Sequence, residues 1–249
     1  MTDYIQKLME ATRKKDINKI KESLELIKNS SNNFIMLMNE RNKFECISFV
    51  PSTYYNSIEM VKTLIILGAD VNTQNNDGET PLMYAVSEND LNMVRLLINS
   101  GADVNIKDKN GNNALMYIRD KNNIEIIRVL IEAGIDVNVR NCYDGTALLF
   151  AVLSNNINMV KLLIDKGVNI NVQDNNGNTV LVNAVKNRYF TIIEYLVKSG
   201  INILIRNNED KSVIDIVEDM INKYNQDNNL SLRTQYIQIL SYLLQKLEK

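Results

Sequence analysis

The sequence has no histidine and no tryptophan, and only two prolines, two cysteines and nine glycines in 249 residues. Without an imidazole, Ser-His-Asp and Cys-His catalysis, histidine acid–base chemistry and every histidine-containing metal site are excluded. Cys46 and Cys142 lie far apart and are too few for a disulfide framework, which fits a reducing compartment. Neither sign of charge is in excess: 28 basic residues stand against 30 acidic ones, and the balance holds through 75–206. The basic stripe that releases counterions from nucleic acid is therefore missing, and no nucleic-acid partner is expected. No run reaches the 18 or so consecutive apolar residues of a membrane span. Met1-Thr2-Asp3-Tyr4 has neither the basic start nor the apolar run of a secretory leader. The expectation is a soluble, cytoplasmic, monomeric protein with no membrane partner.

What is present is periodic. Gly68, Gly101, Gly134, Gly167 and Gly200 are each 33 residues apart. Gly78, Gly111 and Gly177 follow the same period ten residues on, and Gly145 misses this second grid by one. Thr80, Asn113, Thr146, Thr179 and Ser212 repeat with the same spacing, and each suits a helix N-cap whose side-chain oxygen accepts an orphan N–H. Pro81 follows Thr80 at the first helical position, where its missing N–H costs nothing. Leu82, Leu115, Leu148, Leu181 and Ile214 recur one turn in. Ala85, Ile118, Ala151, Ala184 and Val217 follow at small or apolar positions. A second helix opens at Asp90 and is echoed near Asn123, Asn156 and Tyr189, each with an apolar face. The grid glycine ends it, in the left-handed conformation glycine adopts without strain. Gly134→Val is accordingly expected to destabilise more than Gly145→Val.

A 33-residue period with these motifs resembles the ankyrin repeat. Gly78-Glu79-Thr80-Pro81-Leu82 and the run Leu96 to Asn105, ending Gly101-Ala102-Asp103-Val104-Asn105, carry the likeness. It covers nearly the whole chain as one ankyrin-repeat domain, 1–249. Residues 75–107, 108–140, 141–173 and 174–206 read as complete repeats, and 42–74 as a divergent one. Residues 1–41 read as an N-terminal cap with an insertion near 28–35. Residues 207–249 read as a C-terminal cap with an insertion near 220–233, expected as a longer excursion between helices. The fold implied is all-α: a solenoid of stacked helix-turn-helix units with hairpin-like finger loops. One departure stands out. The family's histidine after Thr-Pro-Leu is replaced by Met83, Met116, Leu149 and Val182, so its inter-repeat hydrogen bonds must have another source.

Competing chemistry is weak. Around Gly78 the first and twelfth positions of a calcium loop would be Thr73 and Tyr84, and around Gly177 they would be Val172 and Asn183, neither pair supplying the required ligands. The glycines sit on the repeat grid and form no phosphate-binding cluster. No enzyme activity, cofactor or metal is expected. The resemblance implies instead a protein-protein interaction module, a scaffold or adaptor whose partner docks on the concave face of finger tips and first helices. A secreted bacterial effector or viral host-interaction factor using that groove, or a self-associating structural protein, are the alternatives. Mapped repeat by repeat, the expected partner-binding residues are Lys107, Lys109, Lys121, Arg140, Cys142, Tyr143, Leu153, Ser154, Asn176 and Lys186. Cys142, Tyr143 and Leu153 stand out, because they put apolar surface where neighbouring repeats have Asn, Lys and Asp.

Overall fold

Each repeat starts where a side chain can accept an orphan backbone N–H. In the computed structural model, the Thr80 and Thr146 hydroxyls accept from the Met83 and Leu149 N–H groups at 3.3 and 3.2 Å, and Ser212 accepts from Asp215 at 3.3 Å. The structure describes residues 58–66, 69–119, 124–227 and 229–247, with positions 7, 10, 11, 14, 16, 18, 19, 22, 23, 25 and 26 before them. The insertion near 28–35, the divergent stretch 42–56, Gly68 and Lys121 lie outside the described residues.

The chain divides into two compact units, Met1–Asp136 and Val137–Lys249. The first holds α1 (Ile58–Ile66), α2 (Pro81–Ser87), α3 (Leu91–Asn99), a 3₁₀ turn (Ala114–Tyr117) and α4 (Ile124–Glu132). The second holds α5 (Ala147–Leu153), α6 (Ile157–Asp165), α7 (Val180–Lys186), α8 (Phe190–Lys198), α9 (Val213–Gln226) and α10 (Leu230–Leu247). Helices pair as hairpins, α2 with α3, α5 with α6 and α7 with α8, while α7 also packs on α5 and α9. No strand occurs among the described residues beyond one isolated bridge between Gln173 and Thr179.

The second helices are amphipathic and bury one stripe, as at Met93, Val94 and Leu97 of α3 and Met159, Val160 and Leu163 of α6. Alanine in the first helix lets the pair approach closely: Ala85, Ala151 and Ala184 are fully buried. Ile118 stands in that slot in the second repeat. A β-branched side chain there overfills a close-packed contact, and the helix shrinks to one 3₁₀ turn with Ile118 itself extended. Asn113 also departs from its expected capping role. Its amide donates to the Asp136 carbonyl at 2.8 Å, and its Oδ1 is buried with no hydrogen-bond partner among the described residues. Thr179 also sits at an N-cap position without a side-chain capping bond.

Gly101, Gly134, Gly167 and Gly200 all have positive φ, as helix-terminating residues should. A second positive-φ series falls at 78, 111, 144, 177 and 210, where Asp144 and Asp210 replace glycine. Asp144 is thus the residue on that grid, and Gly145 is one past it with an ordinary φ. Gly145 is closely surrounded all the same. A Cβ there would lie 3.0 Å from Asn141 Oδ1 and 3.2 Å from Phe150 Cε2. The 220–233 insertion also differs from expectation: residues 220–226 continue α9 as helix, and α10 begins at Leu230. Met220, Ile221 and Tyr224 extend the spacing of Ile216 and Val217, so one face stays apolar.

Two glycines with similar backbone angles separate strain from crowding. Gly167 and Gly177 both have φ near +77°, at +78° and +75°, but a Cβ on Gly167 meets nothing within 4 Å. On Gly177 it would lie 2.7 Å from the Asn208 nitrogen and 2.9 Å from the Asn207 Cα of the next finger. Gly167→Ala should lose about 1 kcal/mol from the positive φ alone. Gly177→Ala should lose about 2 kcal/mol more, because backbone must move. Urea midpoints of the two variants check the order.

Candidate protein-interaction surface

A finger is a five-residue loop, and its first residue closes it. The side-chain Oδ1 of Asn75, Asp108, Asn141, Asp174 and Asn207 each accepts two backbone N–H groups, from the residues two and four positions on. This is Asx-turn chemistry, and it turns the second and third side chains of each loop outward. Fingers within a unit are tied by backbone: Lys109 N–H donates to the Asp77 carbonyl, and Asn208 N–H to that of Asn176, at 2.9 and 3.0 Å. Long side chains add ties to the next repeat. Gln74 donates to the Lys107 carbonyl, Arg140 to that of Gln173, and Gln173 to that of Arg206.

The expected site residues separate on this frame. Cys142 and Tyr143 are the outward pair of the third finger, and Tyr143 is 68% exposed. Leu153, at the end of α5, is 46% exposed. Lys107 and Lys109 are exposed on the first unit, and Asn176 and Lys186 on the second. Ser154 is half-buried and donates to the Ala151 carbonyl. Arg140 is exposed but occupied: besides Gln173 it pairs with Asp144 at 2.9 Å, so its charge is locally matched. Lys121 is not among the described residues.

Phe150 was missed by sequence reasoning. It is 37% exposed on α5, one turn before Leu153. The signal was the period itself, since Tyr84 and Tyr117 occupy the same place in the two preceding repeats. There the ring is capped by polar groups. The Tyr84 hydroxyl donates to Glu79 Oε2 at 2.7 Å, and Asn75 Nδ2 donates to the same oxygen at 2.8 Å. The Tyr117 hydroxyl lies 2.8 Å from Asp108 Oδ2 and 3.0 Å from Glu79 Oε1, and donates to one of them at a time. In the third repeat the ring has lost its hydroxyl, and Gly145 stands where Glu79 and Asn112 stand. Tyr143, Phe150 and Leu153 are left as apolar surface on one finger and its helix.

Further along the second unit, a cleft of about 390 Å³ opens beside the fourth and fifth fingers. Asn176, Asn178, Lys186, Asn208, Lys211 and Asp219 are among its lining residues. Lys211 is held by Asp219 at 2.8 Å and Glu209 at 3.5 Å. Among the described residues no three histidine, cysteine or acidic side chains converge to hold a metal ion, and no helix is long and apolar enough to cross a membrane.

Residues 52–141 and 139–207 match the family model for ankyrin repeats in three copies, which is more than half of the chain. The chain belongs to the ankyrin-repeat family, whose repeats are generally protein-protein interaction modules. Among solved structures, 564 chains match, so the likeness identifies a widely used fold and no particular partner. One of them is the ankyrin repeat domain of Bcl-3, described as a unique member of the IkappaB protein family. It shares 21% identity at a TM-score of 0.73, over 84% of this chain and 92% of that one. No curated protein matches.

Burial first, and then the neighbouring Glu79 and Asp108 carboxylates, push the Tyr84 and Tyr117 phenols well above the ordinary tyrosine range. The unfolded phenols ionise near pH 10, while the folded ones keep their protons. Their stabilisation is therefore complete below about pH 10 and is lost as pH rises above it. Tyr84→Phe/Tyr117→Phe should show a shallower loss of urea midpoint between about pH 9 and 11.5 than wild type does, lysines titrating alike in both. Parallel profiles would refute the coupling.

Proposed function

We propose that this chain is a protein-binding scaffold or adaptor, with its partner seated on the finger-tip and first-helix side. The observation that carries this reading is the apolar trio Tyr143, Phe150 and Leu153 on one repeat of the second unit. Aromatic anchors beside a polar rim are the usual composition of an interface centre. Asn176 and Lys186, which line the neighbouring cleft, supply that rim. On the first unit Lys107 and Lys109 act as steering charges whose effect fades with salt. Arg140 acts differently from them: tied to Asp144 and to the Gln173 carbonyl, it holds the third finger in shape. We place the protein in the cytoplasm, on the support of its two widely separated cysteines.

The test is affinity capture with the full chain, followed by titration of the captured partner. Tyr143→Ala and Phe150→Ala should each weaken binding about thirtyfold, a loss of about 2 kcal/mol. Lys109→Ala should change affinity only at low salt. If all three apolar truncations, Leu153→Ala included, stay within about twofold of wild type, the binding centre lies elsewhere on the chain.

A further inference from the structure

The first residue of each finger commits its Oδ1 to two backbone N–H groups, and at Asn207 this leaves only Nδ2 to offer a neighbour. That nitrogen donates to Asn178 Oδ1 at 3.0 Å. The Asn178 amide is thereby fixed with its oxygen toward Asn207, and its Nδ2 is the open end. Asn178 is only 7% exposed and lines the cleft beside the fourth and fifth fingers. Its Nδ2 has no acceptor among the described residues. A nearly buried donor left open in this way is uncommon in a folded chain. Lys186 lines the same cleft from the last turn of α7, and its Nζ has no ion pair among the described residues. The acidic residue one period on, Asp219, is taken by Lys211 at 2.8 Å, and Glu209 stands 3.5 Å from the same ammonium. Ile216, which is buried, and Met220 add an apolar part to the lining.

We propose that this cleft is a carboxylate site. It takes one acidic group of the partner on Asn178 Nδ2 and Lys186 Nζ, with the stem of that group on Ile216 and Met220. As a statement about the partner's chemistry it rests on the protein-binding reading above. A carboxylate supplies the acceptor that both donors lack, and its bond to an ammonium is stronger than that of a neutral carbonyl. A cationic group would meet Lys186 and the positive end of the Asn178 amide. Lys186 and Lys211 balance Glu209 and Asp219, so the cleft as a whole is neutral. A single negative charge is answered by Lys186, whereas the second charge of a phosphate would face Glu209 and Asp219. With no net field, the site selects and orients an acidic group and adds little to the rate of encounter.

The carboxylate is either a side chain or a chain terminus, and blocked amino acids separate the two. N-acetyl-glutamate N-methylamide presents the first, N-acetyl-alanine the second, and N-acetyl-glutamine N-methylamide is the neutral isostere. Each is titrated into the 15N-labelled full chain and followed by the amide shifts of residues 176–187 and of the Asn178 side chain. At least one carboxylate probe should bind with a Kd of about 1–10 mM, and the tighter one identifies the source. The glutamine probe and inorganic phosphate should each bind at least about tenfold more weakly. Lys186→Met should weaken the carboxylate probe by about tenfold or more, while Lys166→Met, exposed outside the cleft, should bind as wild type does. Asn178→Asp keeps the oxygen that Asn207 needs and puts a negative oxygen in place of the open donor, so it should abolish binding. The proposal is overturned if neither carboxylate probe moves these shifts by about 50 mM. It is equally overturned if the glutamine probe binds as tightly, if phosphate binds more tightly, or if Lys186→Met binds as wild type does. None of these results bears on the Tyr143 surface, and the titration needs no captured partner, so the two readings fail separately.

Discussion

One side-chain oxygen closes every finger from Asn75 to Asn207, and the placement of the tips follows from it. The Oδ1 of the first finger residue takes two N–H groups that would otherwise point into a tight loop. An amide or carboxylate does this equally well, which is why Asn and Asp alternate at these positions. A residue at positive φ, glycine in three fingers and aspartate in two, completes each turn. The second and third finger side chains carry no part of the closure and are free to vary. Cys142 and Tyr143, or Lys109 and Asn110, can therefore sit on the same backbone.

A second asparagine series ties each repeat to the next. Asn72, Asn105, Asn138 and Asn171 each accept, through Oδ1, an N–H from the following repeat at 2.7–2.9 Å. Asn72 and Asn105 also donate to the glycine carbonyl that ends the following helix pair. Each such bond contributes about 1 kcal/mol net, and its repetition sets the register between neighbours within a unit. Met83 meanwhile lies fully buried at one of the former histidine positions. Apolar packing at Met83 and the amide network thus both join neighbouring repeats.

The periodic features were legible because each repeats a local chemical need. Helix-stopping glycines, Thr80 and Thr146 as caps, and the exposure of Tyr143 and Leu153 follow from position within the period. What stayed hidden depends on partners distant in sequence. Glu79, at the end of its finger, turns inward to Tyr84 and Tyr117. Arg140 reads as a partner-binding residue but also spans to Gln173. Asn113 reads as a cap but reaches Asp136, 23 residues away. Phe150 and the helical 220–226 are different, since their signals were present. The first lies on a period already carrying Tyr84 and Tyr117, and the second on an apolar spacing obscured by its asparagines and aspartates.

Two grid positions decide whether a finger base is polar or apolar, and neither belongs to the closure. Glu79 and Tyr84 form one hydrogen-bonded pair, and the Asp108–Asn112–Tyr117 group forms another. Gly145 with Phe150 forms none, yet the backbone bonds of the third finger match those of the first two. Asn141 N–H still reaches the Gly145 carbonyl at 3.0 Å, as Asn75 N–H reaches Glu79 and Asp108 N–H reaches Asn112. Loss of the polar side chain at the first position and of the phenol hydroxyl at the second removes both ends of such a contact together. The paired change is thus the route by which this fold turns a polar finger base into an apolar one without disturbing its frame.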